Sequence, residues 1–200
     1  MNTALVVIVA VPAVAALALA ILFNSLVRVR NHCIEAWANV ETELQRRYDL
    51  IPNLVSTVKG YAAYERELLE EVTRLRALCA GNHGSPKEQE ATENQLVGAL
   101  GRLLARVEAY PDLKANQNFL HLQQELVNTE DRIQAARRFY NGNVRENNNK
   151  VQMFPTNLLA QWFGFAERQY FEVDDLRARQ APVAAFQPGA APLETRENGV

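Results

Sequence analysis

The sequence predicts an all-α protein: an N-terminal transmembrane helix continuous with a long up-and-down four-helix bundle. Three observations predict it. Ala4 to Phe23 is an apolar run with no charged or polar side chain, interrupted only by Pro12. From Ala13 to Ile51 there is neither Gly nor Pro, so nothing stops a helix at the membrane surface. Beyond the run, apolar residues recur at three- and four-residue spacing, and no strand alternation is visible. The expected organisation is an anchor over 1–23, a bundle over 24–172 and a flexible tail over 173–200.

The anchor comes first. Twenty helical residues reach about 30 Å, the thickness of a bilayer's hydrocarbon core. A cleaved signal peptide is the rival, with small-x-small pairs at Ala16/Ala18 and Ala18/Ala20. Those pairs are followed by the still apolar Ile21-Leu22-Phe23, and no Lys or Arg precedes the run, so an uncleaved anchor is preferred. Arg28, Arg30, Arg46 and Arg47 follow the span, whereas only Met1-Asn2-Thr3 precede it. The positive-inside bias then places the N-terminus outside and the bundle in the cytoplasm.

In the bundle, Trp37, Val40, Leu44, Tyr48, Ile51, Val55, Val58 and Ala62 form one helical stripe that continues through Leu69, Val72 and Leu75. Pro52 predicts a kink or a restarted helix capped by Asp49. Gly60 is a second weak point, suited to close approach of another helix. Ser85-Pro86-Lys87-Glu88 reads as a capping box with Pro in the first helical position. The helix it opens carries Leu96, Leu100, Leu103, Val107 and Tyr110, and Pro111 ends it. Phe119, Leu122, Leu126, Thr129, Ile133, Ala136, Tyr140, Val144, Asn147, Val151 and Phe154 predict a helix of about ten turns closed by Pro155. Thr156 is read as the cap of a short last helix, Asn157 to Phe163. After Phe171 the composition turns to Ala, Pro, Gln and charge, predicting disorder with a short helical continuation to Arg179.

Composition narrows function. The 21 basic and 23 acidic residues nearly balance, which gives no reason to expect a nucleic-acid partner. Cys33 and Cys79 are too few for a disulfide framework and suit a reducing compartment. None of His32, His83 and His121 follows a Glu by three residues, no Cys-x-x-Cys occurs, and Gly98 and Gly101 fall inside a helix. No metal site, cofactor or catalytic set is therefore expected.

Several motifs stand in order along the chain: Arg47-Tyr-Asp-Leu-Ile-Pro-Asn-Leu-Val55, Val58-Lys-Gly-Tyr-Ala62, Glu108-Ala-Tyr-Pro-Asp-Leu-Lys-Ala-Asn116 with Phe119, Glu130 with Ala136-Arg-Arg-Phe-Tyr-Asn141, and then Phe154-Pro and Phe163-Gly-Phe. In these motifs the chain resembles the LemA family. The resemblance spans residues 24 to about 172. It implies an N-terminally anchored bacterial protein with a four-helix cytoplasmic bundle, and no settled biochemical activity. A magnetosome-associated relative suggests membrane organisation, and frequent encoding beside membrane metalloproteases suggests such a partner. One departure is Tyr64, where many members carry His before the Glu at 65.

Arg47, Asp49, Pro52, Asn53, Glu108, Tyr110, Glu130, Arg137, Asn141 and Trp162 are the candidate interaction or structural residues. The charged ones read as partly buried ion pairs that set helix register, as solvated faces, or as a partner-receiving network. The cluster Asn141, Asn143, Asn147, Asn148 and Asn149 with Gly142 reads as a loosened, solvated helix, with a polar docking stripe as the alternative. Leu158 to Phe165 reads as a helix across the end of the bundle, or as an interfacial or protein-docking segment. The expected function is a self-associating scaffold or adaptor in inner-membrane organisation or envelope stress. The alternative is a small-molecule sensor or enzyme with a site among Tyr48, Tyr61, Tyr64, Tyr110 and Tyr140, with Arg47 and Glu108.

Overall fold

The computed structural model describes residues 3–62, 65–174 and 176. Tyr64, the first two residues of the N-tail and the tail from 177 onward lie outside the described residues. Among those described there are helices and connecting segments and no strand.

The predicted continuity is present. Helix α1 runs unbroken from Thr3 to Lys59, 57 residues or about 85 Å, with Pro12 and Pro52 inside it. Its first part is bare: Val6, Val7, Ile8, Val9, Val11, Val14, Leu17, Leu19 and Ile21 are all exposed. Its most apolar 18-residue window has a mean hydropathy of 3.0, so this helix is long and apolar enough to cross a membrane. From Leu26 onward the same helix buries one face. Leu26, Val29, Cys33, Ala36, Val40, Leu44, Ile51, Leu54 and Val58 keep the three-four spacing that lines a single stripe.

The stripe does not continue into the next segment on the same helix. The chain turns after Lys59, with Tyr61 and Ala62 both donating to the Val58 carbonyl, and α2 starts at Arg66 and runs to Gly81. Leu69, Val72, Leu75 and Cys79 bury against the core from this returning helix. Gly60 is exposed and meets no neighbouring helix, so it marks the helix end rather than a close approach.

Helix α3, Pro86–Val107, opens with the predicted capping box. Ser85 Oγ accepts from Glu88 N–H, and Glu88 Oε2 accepts from Ser85 N–H at 2.7 Å. Pro111 starts the short helix α4, Pro111–Lys114, rather than merely ending α3. Asn116 caps helix α5, Gln117–Gln152, through Phe119 N–H at 3.1 Å. The 36 residues of α5 run back along α1 for about 54 Å. Helix α6, Thr156–Phe163, then packs across the base of α1 and α5. Thr156 does not cap it; its hydroxyl donates instead to the carbonyls of Lys150 and Met153 at the end of α5. Phe154, placed by spacing in the α5 seam, is exposed. The four bundle helices are thus α1, α2, α3 and α5, with the α2–α3 hairpin covering the half of the pair farther from the apolar run.

Gly164 ends α6 with φ +72°, a left-handed conformation that a side chain would strain. That turn sends the chain into an extended strap, residues 165–174 and Leu176, which runs antiparallel to α5. It binds α5 on one side and α3 on the other: Asn94 Nδ2 donates to the Glu172 carbonyl, and Asp174 N–H donates to Asn94 Oδ1 at 2.8 Å. Phe171, Val173 and Leu176 are buried in the main core. The expected bundle limit at 172 is therefore too early, because apolar side chains and backbone hydrogen bonds hold the chain in place beyond it.

Pro52 leaves a specific debt in α1. It has no N–H for the Tyr48 carbonyl four residues earlier. Arg76 Nε on α2 donates to that carbonyl at 3.0 Å. Replacing Arg76 with methionine is expected to lower stability by about 1–2 kcal/mol, the cost of an unpaired, partly buried carbonyl. Pro52→Ala restores the local donor, so the Arg76→Met penalty should shrink in that background. A double-mutant cycle in thermal unfolding measures the difference; equal penalties in both backgrounds would show that Arg76 acts elsewhere.

Candidate functional site

The centre of the bundle holds a charge cluster. Arg47 is 0% exposed, and Glu93 and Glu130 are 1% exposed. Arg47 Nη1 donates to Glu130 Oε1 at 2.8 Å, and Arg47 Nη2 donates to Glu93 Oε2. The Tyr48 hydroxyl donates to the other oxygen of Glu93. Three helices meet at this level, because Arg47 belongs to α1, Glu93 to α3 and Glu130 to α5. Among the described residues, Arg47 Nε and Glu130 Oε2 have no hydrogen-bond partner. Burial alone would lower the proton affinity of the guanidinium, but Glu130 and then Glu93 outweigh it, so the Arg47 pKa is raised. The Tyr48 pKa is also raised, first by burial and then by Glu93.

The ion-pair reading of Arg47 and Glu130 holds, and the solvated-face reading does not. Glu93 was not anticipated, although its signal was present. Extending the Leu96, Leu100, Leu103 register backwards by three and then four residues lands on Glu93 and Gln89, both buried.

The other candidates scatter. Asp49 is exposed and accepts from Gln45 Nε2 at 2.8 Å, capping nothing. Pro52 and Asn53 are exposed, and the Asn53 carbonyl accepts from the Thr57 hydroxyl. Glu108 is exposed and pairs with Lys114. The Tyr110 hydroxyl donates to Glu65 at 3.2 Å, near where Asn116 Nδ2 reaches the Tyr61 hydroxyl, at the far end of the bundle. Arg47 and Glu108 do not meet, and Tyr48, Tyr61, Tyr110 and Tyr140 do not converge on one pocket. Trp162 is 85% exposed.

Arg137 and Asn141 belong together, along the strap. Arg137 Nη1 donates to the Val173 carbonyl at 2.9 Å. Asn141 Nδ2 donates to the Phe171 carbonyl, and Asn141 Oδ1 accepts the Phe171 N–H. Asn148 repeats the two-way arrangement with Arg168, and Asn147 donates to the Ala166 carbonyl. Asn141, Asn147 and Asn148 therefore act as a docking stripe whose ligand is the chain's own extended segment, while Asn143 donates to the Phe139 carbonyl of its own helix. The loosened-helix expectation fails because α5 stays continuous here, with Asn147 and Asn148 buried.

Four buried groups bear on pH: Tyr48, Cys33, whose thiol burial also raises, Cys79 and Tyr140. Burial, followed by Glu93, pushes the Cys79 thiol up to about 12 from an ordinary 9.0. Burial pushes Tyr140 up to about 12 from 10.0. Between these limits the folded chain keeps protons that the unfolded chain has lost, so stability is intact below pH 9 and falls as pH rises toward 12. The expected loss reaches about 1.4 kcal/mol per pH unit per group at its steepest. Unfolding midpoints measured from pH 7 to 11 test this, and Cys79→Ala should flatten the decline.

A model described as the LemA family matches residues 36–186. The chain belongs to the LemA family. The matched stretch begins inside α1 beyond the apolar run and includes the charge cluster, the asparagine stripe and the strap. Magnetosome protein MamQ 2 of Paramagnetospirillum magneticum is 30% identical, over 75% of this chain and 64% of its own length. Protein LemA of Metamycoplasma hominis is 27% identical, over 76% of this chain and 70% of its own. Magnetosome protein MamQ of Magnetospirillum gryphiswaldense is 26% identical, over 74% and 64%. This LemA-family chain thus spans just under two thirds of the magnetosome proteins it matches. Family membership and the bare apolar helix together fit a membrane anchor.

Proposed function

We propose that this LemA-family protein is a membrane-tethered scaffold that self-associates and presents helical faces at a fixed distance from the bilayer. The observation that carries the reading is the unbroken α1. A helix that leaves the apolar run and becomes the spine of the bundle transmits position and orientation without a flexible joint. In this reading Ala4–Phe23 spans a bacterial inner membrane with the N-terminus outside, and the bundle stands in the cytoplasm. The magnetosome relatives support a role in membrane organisation; envelope stress handling and recruitment of a membrane protease are further uses of the same surface.

Purification of the full chain in nanodiscs, with its mass and co-purifying proteins measured, tests the scaffold. A discrete multiple of the 22.5 kDa chain is expected. A strict monomer with a tightly held metabolite would overturn it in favour of a small-molecule sensor. A reporter fused after residue 200 tests the topology and should be active only in the cytoplasm.

A further inference from the structure

We propose that α6 and the loop before it lie on the lipid surface beside the exit of α1, with Met153, Phe154, Leu158, Trp162 and Phe163 in the boundary between headgroups and acyl chains. The inference rests on the reading that Ala4–Phe23 spans a bilayer, and it adds a second lipid contact to that span.

Depth comes from α1. Phe23 is the last residue of the apolar run, and its ring lies 4.9 Å from that of Phe163 and 5.9 Å from that of Phe165. Leu159 and Ala160 are buried against Leu26, with Leu22 and Val151 packed around them. Because α1 is one continuous helix, a span that fills the hydrocarbon core fixes α6 at the core's edge.

Chemistry supports the same placement. Residues 153–166 contain no charged side chain. Leu159 and Ala160 hold the inner face of α6, so Leu158 and Trp162, four residues apart, share a face turned away from the protein. Leu158 is 58% exposed, Met153 62% and Phe154 78%. An apolar patch of this kind facing water is unfavourable, whereas Trp and Phe are favoured at a membrane interface. A cation stands at the edge of the patch: Arg30 lies 5.3 Å from the centre of the Phe165 ring, while Lys150 donates to Ser25 and pairs with Glu146. A cationic group at this height faces the phosphates of lipid headgroups. The occupant is lipid because the patch is continuous with the bare face of α1.

The chain's two tryptophans provide the test. Trp37 packs on Tyr140 and Phe171, about 20 Å farther along α1 than Phe23, and serves as the internal control. The full-length Trp37→Phe chain is reconstituted into phosphatidylcholine–phosphatidylglycerol vesicles, with and without acyl-chain-brominated lipid. Trp162 emission should be blue-shifted and lose about half its intensity to the brominated lipid. The Trp162→Phe chain, altered only at an exposed position, should retain its Trp37 emission. Vesicle flotation separates the two readings: a chain that fails to float sinks the membrane span, and the present inference with it. A chain that floats with Trp162 unquenched by bromolipid but open to aqueous acrylamide overturns the inference alone. Trp162 shielded from both quenchers would mean that protein, a second copy or another chain, covers the patch, and would also overturn it.

Discussion

Arg47→Ala is expected to destabilise the bundle by about 3–5 kcal/mol, among the largest effects of any single substitution. The change removes the one cation from a cluster whose two carboxylates, Glu93 and Glu130, have almost no exposed surface. Those carboxylates would have to take up protons, admit water or move apart, and each of these loosens contacts among α1, α3 and α5. Arg47→Lys keeps a positive charge but loses the fork that reaches two acceptors, so an intermediate loss is expected. The informative contrast is wholesale replacement. Arg47→Met with Glu93→Leu, Glu130→Leu and Tyr48→Phe removes every member of the network, Tyr48 included because its hydroxyl would lose its acceptor. That variant should be as stable as the native chain or more so, because the attraction within a buried ion pair barely offsets the desolvation of its members. Thermal unfolding of the full chain in detergent, followed by circular dichroism, measures all three. An Arg47→Ala chain within 1 kcal/mol of the native one would refute the account. If the network serves specificity, the fully apolar variant should unfold less cooperatively although it is no less stable.

This contrast also shows what was legible in the sequence. Polar residues interrupting a seam are visible as soon as the seam is drawn. Arg47 lies three residues after Leu44, and Glu93 three before Leu96, so both positions point inward by spacing alone. Their pairing is not readable, because 46 residues and two turns separate them. The continuous α1 was legible because neither Gly nor Pro occurs from Ala13 to Ile51, so nothing separates the end of the apolar run from the first stripe of the bundle. The break after Lys59 was harder. Leu69, Val72 and Leu75 bury in the same core from a helix running the other way, so the apolar period hardly changes across the turn. Arg76 and the Tyr48 carbonyl were out of reach for a similar reason: the proline announces an orphaned acceptor but not its donor.

The end of the strap, from Glu172 onward, was the largest miss, and its cause is physical. Low hydrophobicity and several prolines after Phe171 are the composition of a disordered tail. Within it, Phe171 and Val173 are buried while Tyr170, Glu172 and Asp174 are exposed, the two-residue alternation of an extended segment. The pattern is short and has no partner strand, since side chains of α5 and α3 take the place of a neighbouring backbone. The asparagines looked like helix weakeners on propensity; tertiary hydrogen bonds override that preference.

Phe171→Ala is therefore expected to cost about 3–5 kcal/mol, the range for truncating a buried aromatic side chain. Phe171 is 0% exposed and sits edge-on to Trp37 at 5.1 Å, so its loss opens a cavity between α1 and α5 where the strap is seated. The asparagine contacts give an independent handle on the same element. Asn141→Ala and Asn148→Ala each delete a two-way clamp on the strap backbone, and at about 1 kcal/mol per hydrogen bond the pair should approach the cost of Phe171→Ala. The three substitutions should be less than additive when combined, because a strap already displaced by one has little left to lose from the others. Hydrogen exchange at the Arg168 and Phe171 amides, which donate to Asn148 and Asn141, reads the strap directly. Trp37 emission should shift to the red as Phe171 leaves its ring. If the amides stayed protected in the double asparagine variant, the strap would be held by its apolar side chains alone. If Phe171→Ala left both stability and Trp37 emission unchanged, the strap would not belong to the core, and the ordered unit would end with α6.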